Sequence, residues 1–256
     1  MTDSSQAPVP RGLFARIAAV EPAPPWGWNA AIVALVLSAV AFIGISLFVT
    51  VWAGTEPFAF YLTYLVAALI MAYWVASTRR SPADRAAMRL NPPTSGVQVP
   101  LVLIVFVAVG FAIALDLLSY GVTREFLPVM ELAFPTNAIP LVQWILSIGV
   151  MLIAQPIGEE LVFRGLLFPL MRAKLGAWLG LLLNAAVYAL FHYAIYTAQI
   201  GSLDSGTITW YGLVLPFLQG LVIALVRAYT RSTRAAIFAH AGFGLFALLK
   251  LFTLTG

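Results

Sequence analysis

The chain contains no cysteine. That excludes disulfides, a thiolate nucleophile and any cysteine-based metal site. Charge is almost as scarce. Asp, Glu, Lys and Arg make up 9% of the 256 residues, against roughly 25% in a soluble domain. Histidine occurs only twice, as His192 and His240. There is no glycine-rich phosphate loop, no internal repeat and no soluble second domain. The net charge of +4 comes from short basic clusters between apolar runs. Such clusters report topology rather than affinity for nucleic acid, so no nucleic-acid partner is expected. What remains is apolar: 62% hydrophobic residues and a mean hydropathy of +0.96. The apolar runs are about 20 residues long, the length of a membrane-spanning helix, and longer than the ~10-residue alternating segments of a barrel. The expected fold is an all-α, polytopic transmembrane helical bundle whose solvent is the lipid bilayer.

Seven spans can be drawn, roughly 30–52, 58–76, 97–118, 141–171, 177–196, 212–229 and 235–254. The fourth is long enough to be a broken or re-entrant helix. Residues 1–28 read as a flexible segment with a short amphipathic piece near Leu13 to Val20, residues 29–140 as N-terminal membrane spans, and residues 141–256 as a helical core. No apolar stretch precedes Asn29, so no signal peptide is read. Placing the N-terminus in the cytoplasm also puts Arg79, Arg80, Arg85 and Arg89 there, with the 172–176 hairpin and the 230–234 turn. The opposite loops then hold only Arg124, which satisfies the positive-inside rule. Lys250, near the far end of the last span, is expected to snorkel to the interface. A bacterial inner membrane is the expected location.

The informative stretch is Gly158-Glu159-Glu160-Leu161-Val162-Phe163-Arg164-Gly165. Each ionised group at mid-bilayer costs about 3 kcal/mol on insertion scales, so such groups are paired, hydrated or functional. Glu160 and Arg164 are i and i+4 on a helix and can pair. Glu159 points about 100° away from Glu160 and is left for another task. Glu159 and His192 lie at similar distances along the chain from the 172–176 hairpin, so two antiparallel helices bring them to similar depth. Pro156 can kink its helix one turn before Glu159. Glu159, His192 and His240 then come from three helices and can converge in a cavity open to the cytoplasm. Asn184, Tyr188 and His192 form one polar stripe at i, i+4 and i+8. For Asn184 the expected role is an interhelical hydrogen bond, worth about 0.6 kcal/mol in membranes. Helix-packing bonds are expected for Gln143, Gln155 and Gln219. Asp116 is read as interfacial or structural.

These residues resemble the three motifs of the CPBP family, the CAAX-protease and bacteriocin-processing intramembrane endopeptidases. The first, EExxxR, is matched by Glu159, Glu160 and Arg164. The second, FxxxH, corresponds to Tyr188 and His192, with Tyr for Phe. The third, HxxxN or HxxxD, corresponds to His240 and Gly244, without the final side chain. The resemblance spans roughly 141–250. It implies an endopeptidase that cleaves a peptide or membrane-anchored protein near the cytoplasmic face. Glu159 would activate water with His192, Glu160 and Arg164 would support them, and His240 would stabilise the oxyanion. The family has been described both as metalloproteases and as metal-independent glutamate proteases. Glu159, His192 and His240 can supply three zinc ligands with an open water position. A buried glutamate beside a histidine can also deprotonate water without metal, and the metal-free reading is preferred.

Gly244 has no side chain to donate to an oxyanion, and losing one donor can cost about 3 kcal/mol. Two readings follow. Gly244 leaves room for substrate or for a donating water, with Tyr188 or Asn184 as other donors. Alternatively, the chain is a non-proteolytic relative that binds or protects a membrane partner. Transport is disfavoured, because no inverted repeat or paired broken helices appear.

Overall fold

The structure, a computed structural model, describes residues 12–54, 57–90, 99–124, 126, 141–196 and 204–255. Two short helices, α1 (Leu13–Ala18) and α4 (Pro82–Met88), accompany seven long ones: α2 (Trp28–Ala53), α3 (Pro57–Thr78), α5 (Leu101–Thr123), α6 (Leu141–Leu175), α7 (Ala177–Tyr196), α8 (Ser205–Thr230) and α9 (Thr233–Thr255). No strand occurs among the described residues. All seven long helices are apolar and long enough to cross a membrane. The chain is an integral membrane protein with an all-α helical bundle.

The outer helices α2 and α5 bury only 22% and 17% of their apolar windows, whereas α9 buries 61%. Val36, Ile43, Phe106 and Leu117 are therefore exposed to lipid, not misplaced core residues. The central helices α3, α6, α7 and α9 hold every motif residue or pack directly upon them. Contacts between them use small residues. A Cβ at Gly242 of α9 would lie 2.7 Å from Ala108 Cβ and 2.9 Å from the Val105 carbonyl oxygen of α5. At Gly158 of α6 it would lie 2.8 Å from the Ala68 carbonyl oxygen of α3. Glycine at these positions lets the backbones approach closely, as small residues do in membrane helices.

The long fourth run is neither broken nor re-entrant. It is one continuous helix, α6, with two wide π-helical stretches at Val150–Ala154 and Leu161–Leu167. Each stretch ends just before a proline in the following α-helical segment, Pro156 and Pro169, and the same pattern recurs in α8 at Trp210–Val214 before Pro216. Proline lacks an N–H and its ring clashes with the i−4 carbonyl. A locally wider turn moves that carbonyl away, which accounts for the expected kink at Pro156 taking this form. Glu159 and Glu160 occupy the short α-helical segment between the two wide stretches of α6.

Three expectations change. The loop read over 197–211 is shorter than supposed. Residues 197–203 lie outside the described residues, but α8 already begins at Ser205. Asp204 caps it, accepting from the Gly206 and Thr207 amides at 2.9 and 3.0 Å. Lys250 does not snorkel. It is 7% exposed and pairs with Asp116 of α5. The N-terminal segment read as flexible divides. Residues 1–11 lie outside the described residues, while 12–27 form a strap against the arginine-bearing ends of α6 and α8.

That strap is fixed by groups on α6, α8 and the end of α4. Arg172 Nη2 donates to the Ile17 and Ala19 carbonyls at 2.7 and 2.6 Å. Arg227 grips the Glu21 carboxylate with both terminal nitrogens at 3.0 and 3.1 Å, and Arg89 Nε lies 3.2 Å from the same carboxylate. Trp26 Nε1 donates to the Leu166 carbonyl at 3.0 Å. Burial alone pushes the Glu21 carboxyl up, but Arg227, Arg89 and Arg172 outweigh it and hold the group below the usual carboxylate value. Arg89 itself adopts a left-handed conformation (φ 52°) at the end of α4. The α6–α7 hairpin turns at Gly176 with φ 85°, a conformation that favours glycine.

Candidate active site

Glu159, Glu160 and Arg164 are fully buried on α6, and His192 and His240 are each only 3% exposed. The two glutamates face different partners. Glu159 Oε1 accepts from Gln155 Nε2 at 3.0 Å, one helical turn earlier. Its Oε2 lies 3.5 Å from His192 Nε2 on α7. Glu160 Oε1 accepts from Arg164 Nη1 at 3.1 Å and lies 2.9 Å from His240 Nδ1 on α9. The i, i+4 pair read from the sequence is present. So is the convergence of three helices, but it splits into a Glu159–His192 pair and a Glu160–His240–Arg164 group.

Backbone contacts fix the histidine chemistry. His192 Nδ1 is 3.1 Å from the Tyr188 carbonyl oxygen, which can only accept. Nδ1 therefore carries hydrogen, and in the neutral ring Nε2 presents its lone pair towards Glu159. His240 Nδ1 faces the Glu160 carboxylate, which likewise assigns hydrogen to Nδ1 and leaves Nε2 directed elsewhere. The arrangement beside His240 is that of a carboxylate orienting an imidazole.

Arg164 is held on several sides. Beyond Glu160, its Nη2 donates to the Gly220 carbonyl of α8 at 2.8 Å, and its guanidinium sits 4.4 Å over the Tyr188 ring. Tyr188 stacks against His192 with a centroid distance of 4.1 Å, so its ring is wedged between Arg164 and His192. Gly220 makes that wedge possible, since a Cβ there would lie 2.7 Å from Tyr188 Cδ1. Asn184 Nδ2 donates to the Phe163 carbonyl at 3.0 Å, within the second wide stretch of α6. Its interhelical role is as expected, and it is turned to backbone rather than to the glutamates.

Two site expectations need correction. Gly244 does not leave room for substrate or a donating water along its side-chain direction. A Cβ there would lie 2.2 Å from the Met151 carbonyl oxygen, in the first wide stretch of α6. The glycine is a crossing point of α9 and α6, one turn from His240, and it lets His240 come within hydrogen-bonding distance of Glu160. The cavity next to the site also runs differently. It has a volume of about 60 Å³ and reaches from His240, Gln155 and Gln219 to Tyr211, Asp116 and Lys250. It therefore extends along α9 away from the arginine-bearing helix ends. On the arginine side Met88 and Thr233 pack against Gly165.

His240 is engaged with Glu160, and Glu160 with Arg164. Among the described residues no three His, Asp or Glu side chains stand where they could share an ion. The residues as arranged do not fit the three-ligand zinc site considered above.

Sequence reasoning misses the roles of Gln155 and Gly220. Gln155, expected to make a helix-packing bond, serves Glu159, and their i, i+4 spacing is the signal for it. Gly220 carries no signal in the sequence alone.

Residues 141–246 match the family model described as Type II CAAX prenyl endopeptidase Rce1-like. That stretch of the chain is similar to this family. The match covers α6, α7, α8 and the first half of α9, the helices that carry Glu159, Glu160, Arg164, His192 and His240. The Rce1-like assignment agrees with the CPBP motifs and supports a membrane-embedded CAAX-type endopeptidase in general terms. No curated protein and no solved structure matches the chain.

Proposed function

We propose that the protein is a metal-independent intramembrane endopeptidase in which Glu159 and His192 activate water and His240 stabilises the oxyanion. The observation that carries this reading is the facing of Glu159 Oε2 and His192 Nε2 at 3.5 Å. Two acceptors at that distance are best satisfied by a bridging proton or by a water that donates to both. A water so held has its lone pairs turned outward, towards a substrate carbonyl. Glu159 takes a proton from the water as its oxygen bonds to the carbonyl carbon. The resulting oxyanion accepts from protonated His240 Nε2, with positive charge on the ring offset by Glu160. As the tetrahedral carbon collapses, its bond to nitrogen breaks. The proton held by Glu159 passes to the departing amine, leaving one new carboxylic acid, which ionises to solvent, and one new amine. Arg164 holds Glu160, and through it His240, in position.

The substrate is a peptide or membrane-anchored protein. The N-terminal strap and the arginine-bearing loops lie in the cytoplasm on this reading, following the positive-inside rule. The test is cleavage by wild type and by Glu159→Gln, using proteomics of whole membranes to find the peptide terminus that disappears. Equal cleavage by the two would remove Glu159 from the mechanism.

One observation favours a second reading, a non-proteolytic binding protein of the same fold. The position where the family motif carries an Asn or Asp is Gly244, backed by the Met151 backbone. Under that reading Glu159→Gln and His240→Ala both leave the physiological function intact.

A further inference from the structure

Hydrolysis inside a membrane consumes one water per turnover, and that water must cross an apolar bundle. The cavity beside the site has the chemistry for it. Apolar cavities stay dry, whereas one with polar groups needs only about 10–15 Å³ to admit a water, so its ~60 Å³ is large enough for water to enter. Six of its fourteen lining residues are polar, which is unusual for a membrane interior: Asp116, Gln155, Tyr211, Gln219, His240 and Lys250. His240 and Lys250 lie on one helix, ten residues or about 15 Å apart.

The lining leads from the periphery to the site. The side chains of Asp116 and Lys250 are 16% and 7% exposed, and those of His240 and Glu159 are 4% and 0%. At the outer end, Asp116 accepts from one of the three N–H groups of Lys250, and the Phe126 ring lies 5.9 Å from the ammonium. Water in the cavity can accept from the others, which lowers the cost of a charge pair at this depth. At the inner end two lining residues touch the motif carboxylates. Gln155 donates to Glu159, and His240 engages Glu160.

We propose that this cavity is the water reservoir of the site, filled at the Asp116–Lys250 end and emptied past Gln155 towards Glu159 and His192. The proposal rests on the proteolytic reading for its purpose but not for its existence, and the two are tested separately. Gln155 and Gln219 are positioning residues, and Asp116 and Lys250 keep the entrance polar. Water thus approaches from the end of the bundle opposite the arginines.

The absence of native cysteine makes the test direct. Leu115 lines the cavity, whereas Ile113 and Leu117 lie on the same helix at 46% and 59% exposure towards lipid. Full-length Leu115→Cys, Ile113→Cys and Leu117→Cys, each in phospholipid vesicles, are treated with a small charged methanethiosulfonate. Leu115→Cys should react roughly tenfold faster than the others, because thiolate forms only where water reaches. Equal rates overturn the proposal. In a second arm Ala112→Leu fills the cavity, with Ala112→Ser as the control that leaves it open. The filled variant should lose roughly tenfold in kcat with KM unchanged, the signature of a lost step after substrate binding. Fast labelling with an unaltered kcat overturns the supply role. If wild type shows no Glu159-dependent cleavage, the proteolytic reading fails instead, and the labelling still decides whether the cavity holds water.

Discussion

Two buried carboxylates in this protein are treated in opposite ways. Glu21, on the strap, is gripped by Arg227 through two bonds and approached by Arg89 and Arg172. Glu159, in mid-bundle, has a neutral amide donor at 3.0 Å and a histidine nitrogen at 3.5 Å. The first is surrounded by more positive charge than it carries, and its protonation is suppressed. The second faces an amide and an imidazole, with no guanidinium bonded to it among the contacts described. Surplus cationic partners make a carboxylate a fastener, and the proposed function gives Glu159 the other task. Glu160 stands between them, joined both to a guanidinium and to an imidazole.

The comparison breaks most readily at Glu159. Glu159→Gln keeps the shape and should cut cleavage by a factor of about 10³ or more, within the range of general-base effects combined with charge loss. The thermal midpoint should stay within a few degrees. A variant that unfolds would place Glu159 with the fasteners. Next come Glu160→Ala and Arg164→Ala. Each strands a buried charge, which typically costs about 3–5 kcal/mol, so the yield of folded protein should fall together with activity. Normal thermal stability in either would show that the pair is dispensable for folding.

Gly244→Ala should follow, at about 1–3 kcal/mol of destabilisation from overpacking, because its new methyl meets the Met151 carbonyl. A thermal melt that matches wild type would mean that α6 and α9 separate easily there. The smallest effect is expected at Glu21 and sharpens the contrast through pH. The carboxyl titrates below its ordinary value of 4.5 in the folded protein. Its contribution is therefore complete above pH 4.5 and is lost as pH falls through the lower folded value. Limited proteolysis of residues 12–26 should be slow at pH 7 and faster below pH 4. Glu21→Gln should be cut faster already at pH 7 while retaining cleavage activity. A strap whose cleavage is indifferent to both changes would not be held by this carboxylate.

Much of the bundle was legible because a bilayer leaves so few choices. Runs of apolar residues at helix length fixed the number of spans, and Glu160 and Arg164 announced their pairing by spacing alone. The polar stripe of Asn184, Tyr188 and His192 was readable for the same reason. What escaped was set by where backbones cross. Gly244 looked like a missing donor in one dimension and is a contact with Met151 in three. Lys250 looked free to reach the interface because nothing in its neighbourhood of the sequence reveals Asp116, which lies 134 residues earlier. The strap escaped likewise. Its residues are rich in proline and alanine, and the groups that hold it belong to α6, α8 and the end of α4. The three prolines within spans were visible, but the wide turns that precede them were not.

The strap also sets an order of events during synthesis. Ile17 and Ala19 wait for Arg172, and Glu21 waits for Arg227, 206 residues later in the chain. Residues 12–27 leave the ribosome before α6 and α8, yet they can dock only after α8 has been made and inserted. Contacts of such long sequence separation form late in folding. Docking of the strap is thus a sign that six membrane helices are in place, and a newly made chain that still exposes residues 12–27 is one whose bundle is unfinished.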